Sequence, residues 1–160
     1  MKIFFASDHA GFDLKSKLIT FVQGLGHETE DCGPASLHPD DDFTDYIFPC
    51  AEKVARNTGS FGIILGASGE GEAMAANRVK GIRAAVYYGD ASAEQKDESG
   101  NILNLIQSVR AHNNANVLSL GARFVDIEEA KKVITLWLKT SFSGDKRHLR
   151  RIEKIEHVHG

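Results

Sequence analysis

Glu72 closes a run of mostly small residues, Gly66-Ala67-Ser68-Gly69-Glu70-Gly71, that follows an apolar stretch and leads into a helix-forming one. Small residues let backbone N–H groups approach an anion, and a helix dipole favours negative charge at that end. A carboxylate beside such a cradle has the parts needed to remove a proton next to a carbonyl. The base takes the proton while N–H donors hold the charge developing on oxygen. Each part has a plainer reading: glycines serve tight turns, and acidic residues in a first helical turn are favoured by the dipole alone. The run lacks the lysine of a nucleotide-binding phosphate loop, so it is the pairing of loop and carboxylate that points to chemistry.

Two more groups could take part. Asp8-His9 follows the apolar run KIFFAS. Helix capping accounts for the aspartate, but not for a titratable imidazole beside it. The tail SGDKRHLRR puts Arg147 and Arg151 one helical turn apart. Most charge runs are solvated faces, yet two guanidiniums on one face can clamp a phosphate bidentately.

Positioning these groups requires strands that end where the chemistry begins. Residues 2–7 and 61–65 read as buried strands, 27–31, 82–86 and 117–120 as three more, and helical periodicity lies between them. The first helix carries Leu14, Leu18, Phe21, Val22 and Leu25 on one face, and a second runs to about Arg56 after a Pro- and Asp-rich loop over 33–42. A helix over 128–138 buries Ala130, Val133, Ile134 and Trp137, and another covers 146–157. Alternation of strand and helix predicts an α/β fold with a parallel sheet covered on both faces. Ligands of such sheets sit beyond the carboxyl ends of the strands, where Asp8, the 66–72 loop and Arg123 fall. His112 precedes a strand and would need its helix end to curl back toward that edge. The polar stretch at about 90–101 reads as a surface insertion ahead of a helix whose apolar positions begin at Ile102 and Leu103.

The 160 residues, 42% hydrophobic, suit one domain. The formal charge of -3 argues against nucleic acid or an anionic membrane as the main partner. No run approaches membrane-spanning length, no His/Cys/carboxylate cluster has metal-ligand spacing, and Cys32 and Cys50 read as reduced structural thiols of a cytoplasmic protein.

Several motifs in order are more specific than any one of them. SDHAGFDLK at the start, DCG at 31–33, GASGEGEAMAANRVKGIRAA at 66–85, HNNANVLSLGAR at 112–123 and RHLRRI at 147–152 together resemble the type B ribose-5-phosphate isomerases and the related galactose-6-phosphate isomerase subunits. That resemblance implies a Rossmann-like three-layer sandwich with a five-stranded parallel sheet and a C-terminal helix. It also implies a homodimer with shared active sites, or a tetramer of such dimers, and an aldose-ketose isomerisation of a sugar phosphate without a cofactor or metal.

Residue by residue, the resemblance implies Glu72 as the base, because the cysteine that many members carry at the head of the loop is Gly66 here. Asp8 and His112 match ring-opening groups, and Ser68 with Ala67, Gly69, Glu70 and Gly71 matches the loop around the enediolate. Asn113 matches a sugar-hydroxyl contact, and His9, Arg123, Arg147 and Arg151 match the phosphate side, the tail arginines serving a neighbouring subunit. The sequence departs from the family in having Asp42-Phe43-Thr44 where an aspartate-tyrosine-proline segment is usual, so that a tyrosine hydroxyl is missing there unless Asp45-Tyr46 takes its place after a local shift, and in having Ala67 for a common glycine. Three other readings stand beside this one: an isomerase of hexose 6-phosphate or tetrose phosphate, a non-catalytic sugar-phosphate-binding module, and a flavodoxin-like nucleotide-binding domain.

Overall fold

Alternation along the strands builds the two faces of the sheet. Ile3 and Phe5 of β1 (Lys2–Ser7) and Ile63 and Leu65 of β3 (Phe61–Gly66) point to one side, and Phe4, Ala6 and Ile64 to the other. All of these are fully or almost fully buried, as expected of strands covered on both faces. This computed structural model describes residues 1–89, 95–96, 100 and 102–157.

β1, β2 (Glu28–Asp31), β3, β4 (Ala84–Tyr87) and β7 (Val117–Gly121) form a parallel sheet in the order β2-β1-β3-β7-β4. β5 (Gln95–Lys96) and β6 (Ile102–Leu103) make a separate antiparallel pair. The first face is covered by α1 (Phe12–Gly24), α4 (Leu105–Asn113) and α5 (Ile127–Lys139), whose Leu18, Ile106, Ile134 and Trp137 join its core. The second is covered by α2 (Thr44–Arg56) and α3 (Glu70–Ala76), through Ile47, Ala51, Val54, Ala75 and Ala76. The last helix, α6 (Lys146–Glu156), packs on α4 and is tied to the turn before β4, where Glu156 pairs with Arg83 and accepts from the Gly81 N–H. The expected five-stranded parallel sheet and C-terminal helix are therefore present.

Three local expectations change. Ile102 and Leu103 do not begin α4: they pair with Gln95 and Lys96, and the helix starts only after Asn104. The Asn104 side chain accepts from the Gln107 N–H while the Gln107 side chain caps back onto Asn104, and this reciprocal box sets the boundary. The strand expected from Ile82 begins at Ala84, because the Asn116 side chain holds residues 81–83 as a turn, accepting from Arg83 N–H and donating to the Gly81 carbonyl. Leu25 is 42% exposed, since α1 has already ended. Most of the insertion expected near 90–101 lies outside the described residues.

The order of strands locates a site. From β1 the chain passes through α1 to β2 on one side, while β3 lies on the other, so the crevice between the carboxyl ends of β1 and β3 is a topological switch point. Ser7 is in register with Leu65 there, and α1 presses onto β3 so closely that a Cβ on Gly11 would lie 2.6 Å from Leu65 Cβ and 3.0 Å from its backbone. Gly11→Ala should therefore destabilise the fold by about 1–3 kcal/mol through overpacking, lowering Tm by roughly 2–4 °C for each kcal/mol. Gly24→Ala, with nothing within 4 Å of its added carbon, serves as the control in the same melting measurement. Equal Tm values for the two variants would remove the close approach.

Candidate active site

The loop after β3 is held from behind. The Gly66 and Ala67 carbonyls accept from the N–H groups of Ala122 and Arg123, and the Gly69 carbonyl accepts from Ser119 Oγ at 2.6 Å and from Ala73 N–H. Carbonyl and N–H of one planar trans peptide point in opposite directions. Anchoring the first two carbonyls on the segment after β7 therefore turns the N–H groups of Ala67 and Ser68 away from it, as an anion cradle requires. Gly69 takes a left-handed conformation, φ 80°, and a Cβ there would also crowd Ser119 and Leu120, so glycine is required twice over. Ser68 Oγ accepts from the Glu70 N–H and so closes the turn into α3.

Glu72 folds back from α3 over the start of this loop. Its side chain is buried, and its carboxylate occupies the space a side chain at position 66 would need: a Cβ built on Gly66 would lie 1.9 Å from Oε1 and 2.4 Å from Oε2. Burial raises the Glu72 pKa first, and the neighbouring Asp8 charge raises it further, against a lowering contribution from its own backbone N–H. A carboxyl with a raised pKa, poised beside N–H donors, is suited to accept and return a proton.

Asp8 lies at the end of β1, 8% exposed, with Oδ1 accepting from the N–H groups of Ala10 and Gly11 at 2.9 and 3.3 Å. Its other oxygen is 4.0 Å from His9 Nδ1. His9 is held by Asp41, which sequence reasoning left inside an acidic loop: Asp41 Oδ1 accepts from His9 Nδ1 at 2.8 Å and from His9 N–H at 3.1 Å. The His9 pKa is raised, mainly by the Asp41 bond and further by the Asp8 charge, while burial and nearby Arg123 oppose the rise. Phe43 has its ring against Gly71, whereas Tyr46 packs on Gly33 near Asp41.

His112, Asn113, Arg147 and Arg151 are elsewhere in the protomer. α4 ends before β7 begins, so His112 and Asn113 lie at the amino edge of the sheet, and the Asn113 carbonyl accepts from Arg83 just ahead of β4. Strands of this length separate the two edges by about 15 Å. The His112 ring lies 4.4 Å from that of His148, which is 3% exposed and was not singled out from the sequence. His148 Nδ1 meets Ser143 Oγ, and Nε2 accepts from Arg147 Nε at 3.1 Å. The candidate residues thus fall into two groups within one chain: Asp8, His9, Glu72, the loop and Arg123 at one edge, and His112, Asn113 and the tail arginines at the other. Among the described residues no three His, Cys, Asp or Glu side chains form a metal site, and no helix is long and apolar enough to cross a membrane.

A raised carboxyl pKa has a thermodynamic sign. Above the unfolded pKa the native state holds the proton more tightly than the unfolded chain, so stability falls as pH rises through the folded pKa of Glu72. Glu72→Gln should consequently melt at a higher temperature than the parent at neutral pH. The gap should close once the pH falls below the ordinary value of 4.5, where both states of Glu72 are protonated. Scanning calorimetry across pH reads this directly, and a lower Tm for Glu72→Gln at neutral pH would contradict a buried, destabilising charge.

Comparison with known proteins bears on this geometry. A family model described as Ribose/Galactose Isomerase matches residues 3–155. The chain is 35% identical over 153 residues to ribose-5-phosphate isomerase B of Mycolicibacterium paratuberculosis, covering 96% of this chain and 88% of that one. It is similar in structure to ribose-5-phosphate isomerase B of Mycoplasma genitalium with bound ribulose-5-phosphate, at TM-score 0.83 and 36% identity over 97% and 93% of the two chains. A ribose 5-phosphate isomerase of Thermotoga maritima gives TM-score 0.83 and 38% identity, covering 98% of each chain.

Proposed function

The chain belongs to the ribose/galactose isomerase family, and from that premise we propose that it interconverts ribose 5-phosphate and ribulose 5-phosphate, with Glu72 as the base and the whole chain acting as one isomerase domain. The observation that carries the assignment is the Glu72 carboxylate, buried over a side-chain-free Gly66 at the mouth of the N–H cradle.

The reaction opens on the furanose ring. Asp8 and a second copy's His112 move the protons on the ring oxygen and the anomeric hydroxyl, giving the open-chain aldehyde. Glu72 takes the C2 proton, and its raised pKa makes it a stronger proton acceptor than an ordinary carboxylate. The N–H groups of Ala67 and Ser68, with Ser68 Oγ and the loop through Gly69, Glu70 and Gly71, hold the enediolate oxygens. The O2 proton passes to O1 across the enediolate, and Glu72 returns its own proton to C1, so that C1 carries a hydroxyl and the C2 oxygen becomes the ketone. His9 and Arg123 hold the phosphate from this subunit, Arg147 and Arg151 from the other, and Asn113 binds a sugar hydroxyl.

The separation of the two groups supports a homodimer with shared sites: for Asp8 and His112 to serve one ring, the amino-edge group of one copy must meet the carboxyl-edge group of another. Dimers of this kind leave further pairing into tetramers open to measurement by ultracentrifugation. The cytoplasm is the compartment we assign, where the free thiols of Cys32 and Cys50 stay reduced.

A coupled assay with ribose 5-phosphate tests the function, and absence of turnover by the parent protein would overturn it. Glu72→Gln should lower kcat by about 10²-fold or more with little change in KM, as for loss of a positioned base. Exchange of the substrate C2 hydrogen with solvent should fall in parallel. Gly66→Ala should reproduce the loss of kcat without unfolding, because the atom its methyl meets is the mobile end of Glu72 and not backbone. In kcat/KM the acid limb should lie above the ordinary carboxylate range, activity rising with pH as Glu72 loses its proton.

Subunit sharing has its own test. Heterodimers of Glu72→Gln chains with Arg147→Ala/Arg151→Ala chains contain one site built only from intact parts. Activity should reappear on mixing two inactive proteins, and verified heterodimers that stay inactive would place all the parts on one subunit.

A further inference from the structure

We infer that Asp41 is a positioning residue for this isomerisation: it fixes the His9 ring with Nδ1 turned to the protein and Nε2 turned to the substrate, so that His9 and Arg123 meet the phosphate as one pre-set subsite. The inference rests on the proposed function for its ligand, but its geometry stands independently of turnover. A single oxygen, Asp41 Oδ1, accepts from both the backbone N–H and the ring Nδ1 of His9, so it fixes the residue at two points. Of the two side chains, that of Asp41 is 4% exposed and that of His9 is 35% exposed. The carboxylate therefore lies on the inner side of the imidazole, and the ring's remaining nitrogen is directed outward toward the crevice.

The surroundings of Asp41 show why this arrangement acts on His9. Its second oxygen, Oδ2, is buried and has no hydrogen-bond partner among the described residues. A buried carboxylate half satisfied in this way is costly unless a cation stands against it. His9 is the only ion-pair partner of Asp41 among the described residues. Its protonated form relieves the burial of Asp41, and the same proton gives the outward nitrogen a donor for a phosphate oxygen.

The other groups around the pair set limits on its charge. Asp8 adds negative charge 4.0 Å from Nδ1, Arg123 adds positive charge, and Tyr46 stands near Asp41 as a neutral phenol whose pKa Asp41 and Asp45 help to raise. Within the run Asp40-Asp41-Asp42 only the middle residue turns inward, its neighbours being exposed. That run leads into α2, where Asp45 and Tyr46 N–H groups bond back to Asp42 and Phe43. The loop therefore presents one carboxylate to the site at a fixed place.

A loop anchor would use the same bonds, so the test must read more than stability. In full-length protein, Asp41→Asn keeps the shape and an acceptor for Nδ1 but removes the charge. Histidine-side-chain nitrogen NMR should show the His9 titration midpoint falling, and KM for ribose 5-phosphate should rise roughly tenfold with kcat within about twofold, as for weakening one charge-assisted contact. KM should begin to climb at a lower pH in the variant, because His9 loses its proton earlier. In a His9→Ala background the same Asp41→Asn change should alter KM by less than about twofold, since residues acting through one another are non-additive.

An unmoved His9 midpoint, or an equal KM loss with and without His9, would reduce Asp41 to a loop anchor. Should Asp41→Asn not fold, the parent protein still decides the matter: a neutral His9 carrying its proton on Nε2 would overturn the inference. If the parent does not turn over ribose 5-phosphate, the function fails, and inorganic phosphate titrated against the same His9 resonance takes the place of KM. Loss of phosphate affinity in Asp41→Asn would then support the subsite, and unchanged affinity would sink it.

Discussion

The packing of the Glu72 carboxylate into the space above Gly66 is the contact on which the site depends. A buried carboxylate needs room that no side chain fills, and the end of a central strand is normally the most crowded place in a sheet of this kind. Glycine at position 66 makes that room, and α3 begins close enough for its first turn to swing Glu72 back across it. The consequence for chemistry is direct: the volume a thiol-bearing side chain would take at the head of the loop is taken by a carboxylate from its far end. A side chain at residue 66 and the carboxylate of residue 72 are alternatives for one space, so a single chain does not hold both there without moving one.

The rest of the loop serves that placement. Ala122 and Arg123 N–H groups and Ser119 Oγ anchor its carbonyls to β7 and the segment beyond, which fixes the cradle against the sheet instead of leaving it to its own turn propensity. Phe43 closes over Gly71, so the loss of a tyrosine hydroxyl at that position leaves an apolar lid where the family pattern has a polar one. The approach of α1 to Leu65 at Gly11 brings Asp8 to the same crevice, where its charge adds to the burial that raises the Glu72 pKa. Fold and reactivity are coupled here through distances of a few ångströms between β1, β3 and α3.

Much of this was legible in the sequence because it is local. Strand and helix periods are set by side chains two to four residues apart, and they gave the five parallel strands and most helix boundaries. The loop and its carboxylate form one contiguous segment, so Gly66 to Glu72 could be read as a unit. What periodicity missed depends on partners distant in sequence or on side-chain bonds. The start of β4 was misplaced because Asn116, more than thirty residues on, holds residues 81–83 as a turn. α4 was begun too early because apolar Ile102 and Leu103 fit a helical face, and only the Asn104–Gln107 pair, visible in the sequence as a capping signature, marks the true start. Asp41 and His148 were hidden in runs of like residues, an acidic loop and a basic tail, where composition suggests solvation and only the fold shows which member turns inward.

The sheet keeps the polar side chains of α4 and α6 apart from those around Glu72. α6 is tied to the rest of the chain by the Glu156–Arg83 pair and by the tilted contact of the His148 ring with that of His112, so Arg147 lies beside the histidine of α4. Neutral His148, its pKa lowered first by burial and then by His112 and Arg147, can accept from Arg147 Nε while its ring supports His112. Protonation would remove that acceptor and add a positive charge between two others. A group so arranged sets two imidazoles and a guanidinium against one another at the amino edge of the sheet. The length of the strands, about 15 Å, then separates it from the crevice at the carboxyl edge where Glu72 and its loop lie, so no small movement of α6 within one chain joins the two.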